Sequence, residues 1–143
     1  KAQGLFDWLG GVASKVKSIV TLGLAGSPEL FTKYLGNDLM TDMAKHSGLP
    51  WDCILGAELV RHYKPDREVY QSAADLLDLT PGDVMMVATH LGDLRAAKGV
   101  GLRTAFVPRP REYGPTRTPD LKADSSVDVP ATDFNDLAAQ LGA

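Results

Sequence analysis

The segment Val84-Met85-Met86-Val87-Ala88 is apolar at every position, with the turn Thr80-Pro81-Gly82-Asp83 before it and polar residues after it. A strand with one wet face alternates apolar and polar side chains. An unbroken short apolar run is what a parallel strand covered on both faces requires. The flanking pattern agrees. Pro65 is expected to open a helix carrying Val69, Ala73, Leu76 and Leu77 on one face, and Asp93 to Lys98 to form a short helix stopped by Gly99 and Gly101. Thr104-Ala105-Phe106-Val107 is the next strand candidate, Val127-Asp128-Val129 an edge strand, and Phe134, Leu137, Ala138 and Leu141 the apolar stripe of a closing helix. Upstream, Asn37 is a plausible N-cap for a helix carrying Leu39, Met40, Met43 and Ala44, and Cys53-Ile54-Leu55-Gly56-Ala57 reads as a short strand. Strands alternating with helices predict βαβ units and a parallel sheet.

Residues 1–36 are harder to read. Leu5, Trp8, Leu9, Val12, Val16, Ile19 and Val20 fit one helical stripe, but Gly4, Gly10 and Gly11 each cost a helix about 1 kcal/mol relative to alanine. Lys15 and Lys17 ahead of the apolar run Ser18 to Ala25 imitate a secretory signal. The run starts well inside the chain and is too short to span a bilayer, so a buried strand is the better reading. With 143 residues, a single domain of 1–143 is expected, an atypical segment 1–36 followed by a typical core 37–143. A net charge of −3 and a pI near 5.5 give no reason to expect nucleic-acid or membrane partners. The one cysteine, Cys53, has no internal disulfide partner, and a reducing cytoplasm is the natural expectation.

Open parallel sheets bind ligands at the carboxyl ends of their strands. That rule directs attention to Ser27, Glu58 to Lys64, Thr89 to Asp93 and Pro108 to Arg111. Lys64 there can hold a carboxylate or steady a developing anion, although a solvated surface lysine is the commoner fate. Asp93 can cap the following helix, pair with Lys64, orient a water or bind a metal. His90 at the same strand end is a candidate base or donor, with a structural role as its plainer alternative. Ser27-Pro28 is a standard helix start that also offers N–H groups to an anion. The loop Pro108 to Asp124, with Arg109, Arg111, Arg117 and Lys122 among its prolines, reads as a solvated connection that could also lend a cation. His46 and His62 show no acidic or histidine partner at ligand spacing, so no metal site is expected.

Several stretches carry a resemblance. They are Asp42-Met43-Ala44-Lys45-His46, Gly48-Leu49-Pro50-Trp51-Asp52, Tyr63-Lys64-Pro65-Asp66, Val69-Tyr70, Asp83 to Ala88, His90, Asp93 to Ala97 and Gly101 to Val107. In order and spacing, residues 37–117 resemble the C-terminal half of the core domain of 2-haloacid dehalogenases, in the haloacid dehalogenase superfamily. The resemblance implies a Rossmann-like α/β fold with a parallel sheet and helices on both faces. The helical cap that members insert after the first motif is expected to be absent or minimal here, since only the short stretch Val12 to Ile19 stands in its place. It implies a hydrolase in which an aspartate attacks the carbon bearing a halide and water then hydrolyses the ester. By the same resemblance Lys64 is the family's active-site lysine, Tyr70 a tyrosine of the substrate pocket, and Asp93 the acid of the last motif. His90 falls where members place a polar side chain.

The family's first motif is degraded here. Phe6, Asp7, Gly10 and Val12 match it, which makes Asp7 the candidate nucleophile, while Gly4 and Gly11 depart from it. Leu9 occupies the position where the phosphatase branch needs a second aspartate. For the serine motif, Ser27 is the first candidate and Thr21 the second. No residue near Ala13 matches the substrate-gripping arginine of the family. The leading expectation is a minimal hydrolase acting on a small anionic substrate such as a 2-haloacid, without a cofactor. One alternative is a catalytically silent remnant in which the Leu5/Trp8/Leu9/Val12 stripe packs against a second copy of the chain. Another is a magnesium-dependent phosphatase using Asp7 and Asp93.

Overall fold

The computed structural model describes residues 18–20, 37–48, 50–114 and 117–142. Four parallel strands form one sheet in the order β1-β2-β3-β4: β1 Ser18–Val20, β2 Val84–Ala88, β3 Arg103–Phe106 and β4 Val129–Pro130. Five α-helices accompany it among the described residues: α1 Asn37–Ser47, α2 Ala57–Val60, α3 Arg67–Leu76, α4 Leu91–Gly99 and α5 Phe134–Leu141. A 3₁₀ turn, Pro81–Asp83, leads into β2, as the Pro-Gly-Asp sequence predicts.

The continuous apolar run explains the layering. Successive side chains of a strand point to opposite faces. Val84 and Met86 of β2 join Phe106 of β3 against α3 (Val69, Tyr70, Ala73, Ala74) and α4 (Leu94, Ala97). Met85 and Val87 join Ala105 and Val107 against Leu137 and Ala138 of α5. Helices therefore cover both faces of a parallel sheet. Local chemistry sets the ends of α5: the Asp133 carboxylate accepts from the Asp136 N–H at 2.8 Å, and Gly142 takes the left-handed backbone (φ 80°) that ends the helix without a Cβ penalty.

β1 pairs with β2 in the register Ser18↔Val84, Ile19↔Met85, Val20↔Met86, so the first three residues of the apolar run lie in the sheet as the buried-strand reading expects. Ile19 and Val20 consequently belong to no helical stripe. No helix among the described residues is long and apolar enough to cross a membrane, and no cap domain occurs among them.

Several boundaries differ from expectation. The helix expected to open at Pro65 starts at Arg67 behind Asp66 at its N-cap, and the strand expected at Thr104 to Val107 is Arg103–Phe106. The strand expected at Cys53 to Ala57 does not form. Residues 53–56 are irregular, and Ala57 starts a one-turn helix with Gly56 at its N-cap and Arg61 in the left-handed region (φ 55°) closing it. A run of four or five apolar residues suits a helix start as well as a strand, and here the chain makes the local bonds Leu59 N–H to Gly56 O and Arg61 N–H to Ala57 O. Lys64 therefore follows a helix rather than a strand. The edge strand expected at Val127 to Val129 is found at Val129–Pro130. Just before it the Asp128 N–H donates to the Thr104 hydroxyl at 3.2 Å rather than to a strand carbonyl, while its carboxylate accepts from the Thr104 N–H (2.9 Å) and hydroxyl (3.0 Å). The helix expected from Asp93 begins two residues earlier, with His90 at its N-cap.

Candidate active site at the carboxyl edge of the sheet

The ends of β2 and β3 are tied together first. Thr89, which is buried, accepts the Arg109 N–H on its hydroxyl at 3.2 Å. Immediately after Thr89 comes α4, so His90 and Asp93 stand one helical turn apart over the sheet's carboxyl edge, where the Asp93 N–H donates to the His90 carbonyl at 3.1 Å. The turn preceding α3, held by the Asp66 N–H to Tyr63 carbonyl bond of 2.7 Å, delivers Lys64 to the same edge.

There the Lys64 ammonium donates to Asp93 Oδ2 at 2.6 Å, and the Tyr70 hydroxyl donates to Asp93 Oδ1 at 2.5 Å. One carboxylate thus serves two donors, one from the turn before α3 and one from α3 itself, the helix that packs beside α4 on the same face of the sheet. Of the four roles open to Asp93, the structure shows the pairing with Lys64, and its two oxygens accept from the Lys64 ammonium and the Tyr70 hydroxyl. Burial pushes the Lys64 ammonium below its ordinary range, and the Asp93 charge and hydrogen bond pull it partly back. The Tyr70 hydroxyl is pushed up, first by burial, then by its bond to Asp93 and by the charges of Asp93 and Asp66. Tyr70 is 0% exposed and its hydroxyl is spent on Asp93, so at this site it acts on the acid.

A second polar group adjoins the first. His90 Nε2 lies 3.0 Å from Glu112 Oε2 and 2.9 Å from the Tyr113 hydroxyl, and the His90 and Tyr113 rings stack at 6.3 Å with 13° between their planes. Arg109 donates to the other Glu112 oxygen at 2.6 Å, and the Arg117 guanidinium sits 4.6 Å over the Tyr113 ring. Sequence reasoning treated this loop as a solvated connection and missed Glu112 and Tyr113. An acid three positions after Arg109, in the segment leaving a strand's carboxyl end, was the available clue. Asp120 of the same loop accepts from the Leu91 N–H at 3.0 Å.

His62 also corrects an expectation. It does face acids, with Nδ1 3.3 Å from Asp66 and 3.9 Å from Glu68, at spacings of four and six residues. Among the described residues no group of three or more His, Cys, Asp or Glu side chains is placed to hold a metal ion. The candidates Asp7, Thr21 and Ser27 lie outside the described residues.

Comparison with known proteins matches this arrangement to a family. Residues 36–107, half of the chain, fit the model of the haloacid dehalogenase-like hydrolases. The chain is 31% identical over 104 residues to (S)-2-haloacid dehalogenase 1 of Pseudomonas sp. (strain CBS-3), covering 67% of this chain and 46% of that protein. It is 32% identical over 82 residues to pyrophosphatase PpaX of Bacillus anthracis, covering 55% of this chain and 38% of that one. The crystal structure of the L-2-haloacid dehalogenase PA0810 superposes with a TM-score of 0.71 at 52% identity, covering 73% of this chain and 46% of that one. The chain thus spans less than half the length of these relatives. The matched residues hold β2, β3, the Lys64–Asp93 pair and Tyr70, and on that footing the chain belongs to the haloacid dehalogenase-like hydrolase family.

Proposed function

We propose that the chain provides a hydrolase site of the 2-haloacid dehalogenase kind, acting on a small anionic substrate such as a 2-haloacid. The observation that carries this reading is the 2.6 Å contact of Lys64 with Asp93 beside His90 at the carboxyl edge of the sheet. An ammonium fixed there on a largely buried carboxylate suits an anion that gains or shifts charge during reaction. In this reading the Asp7 carboxylate attacks the carbon bearing the halide, the carbon–halogen bond breaks, and the halide leaves with the bonding electrons. Water then hydrolyses the ester to a 2-hydroxy acid. Lys64 and Ser27, with Thr21 as the second choice for Ser27, hold the anionic groups. Asp93, steadied by Tyr70, orients the lysine, and His90 orients the water.

The relation to a pyrophosphatase raises a magnesium-dependent alternative. The described donors fit it poorly: both Asp93 oxygens are already engaged by Lys64 and Tyr70, and Leu9 stands where the phosphatase acid belongs. The test measures chloride release from 2-chloropropionate and phosphate release from a generic phosphate ester, for the chain and for Asp7→Asn. Chloride release that Asp7→Asn abolishes is the expected result. Phosphate release without chloride release would overturn the reading. No release of either, with self-association by light scattering, would favour a silent remnant that assembles through the Leu5/Trp8/Leu9/Val12 stripe.

A further inference from the structure

Glu112 has no part in the reaction just described, yet it is only 14% exposed and both its oxygens face donors. Arg109 Nη2 donates to Oε1 at 2.6 Å, and His90 Nε2 lies 3.0 Å from Oε2. The Tyr113 hydroxyl, 2.9 Å from the same ring nitrogen, and the stacked Tyr113 ring hold the imidazole in place.

Elementary hydrogen-bond accounting fixes the proton on that ring. An ionised carboxylate only accepts, so a lone pair on Nε2 would set two acceptors against each other in a partly buried setting. A hydrogen on Nε2 satisfies the Glu112 carboxylate and leaves the Tyr113 hydroxyl beside it to accept or to turn its own O–H elsewhere, and in the neutral ring the lone pair then belongs to Nδ1. We infer that Glu112 is a positioning residue that holds His90 in its Nε2–H form, which makes Nδ1 the basic nitrogen for the water that cleaves the ester. The inference deepens the dehalogenase reading and rests on it.

The step balances as follows. Nδ1 takes a proton from water while the water oxygen bonds to the carbonyl carbon of the Asp7 ester. The bond from that carbon to the substrate oxygen breaks, and this oxygen takes the proton from Nδ1 as the 2-hydroxy acid departs. The acid left on Asp7 gives its proton to solvent, which restores the carboxylate with one oxygen drawn from water.

Nitrogen-15 spectra of the full chain, recorded with the ring neutral and assigned through loss of the signal in His90→Asn, read the proton's position without any need for activity. The expected spectrum has a protonated Nε2 and an unprotonated Nδ1, and Glu112→Gln shifts it toward a tautomer mixture. Arg109→Gln, which spares the Glu112–His90 contact, retains the Nε2–H form. A protonated Nδ1 in the unaltered chain overturns the inference, as does an unchanged spectrum in Glu112→Gln or equal scrambling in Arg109→Gln. Should Glu112→Gln not fold, the unaltered chain and Arg109→Gln still decide.

In a single turnover with 2-chloropropionate, Glu112→Gln is expected to release chloride but slow 2-hydroxy acid release by about tenfold or more. The Asp7 ester then accumulates and is visible in the intact mass. Equal slowing of both products would assign Glu112 a merely structural role. Absence of chloride release from the unaltered chain would instead sink the dehalogenase reading, and the spectra would still judge the Glu112–His90 pair.

Discussion

Lys64 and Asp93 lie 29 positions apart in the chain and 2.6 Å apart in space. That contact joins the turn before α3 to the first turn of α4, so it holds the site together and braces the fold. Neither side chain is free in water: they are 29% and 12% exposed. Partial burial makes the Coulomb attraction larger than at the surface, and it makes an orphaned partner costly.

A double-mutant cycle should expose this coupling. Lys64→Met and Asp93→Asn are each expected to destabilise the chain by about 1–3 kcal/mol in denaturant unfolding, because each leaves a partly buried polar partner with fewer bonds. The double variant should lose less than the sum of the two. Strict additivity would mean that the pair contributes no mutual stabilisation, and the anchoring of the site would need another origin.

Tyr70→Phe separates two roles for the tyrosine. The ring, which is 0% exposed, remains, and only the hydroxyl that donates to Asp93 is lost. A hydrogen bond to a charged group contributes about 1.5–3 kcal/mol, so unfolding should shift by that order. If Tyr70 works through Asp93, turnover of 2-chloropropionate falls while KM stays close to its original value. A rise in KM with turnover intact would show instead that the hydroxyl reaches the substrate.

Most of the architecture was legible because its causes are local. The all-apolar run Val84–Ala88 can be satisfied only by cover on both faces, and the core clusters through Met85 and Met86 provide that cover. The Lys64–Asp93 pairing was legible from the rule that groups gather at the carboxyl ends of parallel strands, and the resemblance added Tyr70 as a pocket tyrosine, but nothing in residue spacing places the Tyr70 hydroxyl on Asp93. The Cys53 to Ala57 segment misled because a short apolar run has no distinct period. Glu112 and Tyr113 escaped because their partner, His90, lies more than twenty residues back across a loop whose prolines and arginines suggest exposure. The His62–Asp66 pair, one helical turn apart in sequence, was readable and was overlooked.

The two-faced core makes its own prediction. Met85 and Met86 are both 0% exposed but sit in different clusters, one under α5 and one under α3 and α4. Truncating either to alanine should cost about 2–5 kcal/mol, the range for a buried methionine that leaves a cavity. Met43, at 47% exposure, should tolerate alanine within about 0.5 kcal/mol. A mild effect at only one of the two buried positions would mean that one face of the sheet is loosely packed.

Acid titration probes the far end of the loop that carries Glu112. The Asp124 carboxyl is lowered from 3.8 to about 2, first by the Ser126 hydroxyl, then by the Ser126 N–H and by Arg95. Arg95 contributes two bonds, Nη2 at 2.5 Å and Nε at 3.1 Å. Because the folded chain favours the charged form, the unfolded chain binds more protons between about pH 2 and the ordinary value of 3.8, so stability rises with pH across that window. The contribution is complete above the window and disappears as pH falls through it. Asp124→Asn should flatten the acid limb of a stability–pH curve, and Ser126→Ala should flatten it in part, since its hydroxyl is the largest cause. Added salt should shrink the Arg95 share, because that guanidinium is 58% exposed and its pairing is screened. Identical acid limbs in Asp124→Asn and the unaltered chain would show that this carboxylate titrates alike in the folded and unfolded chains.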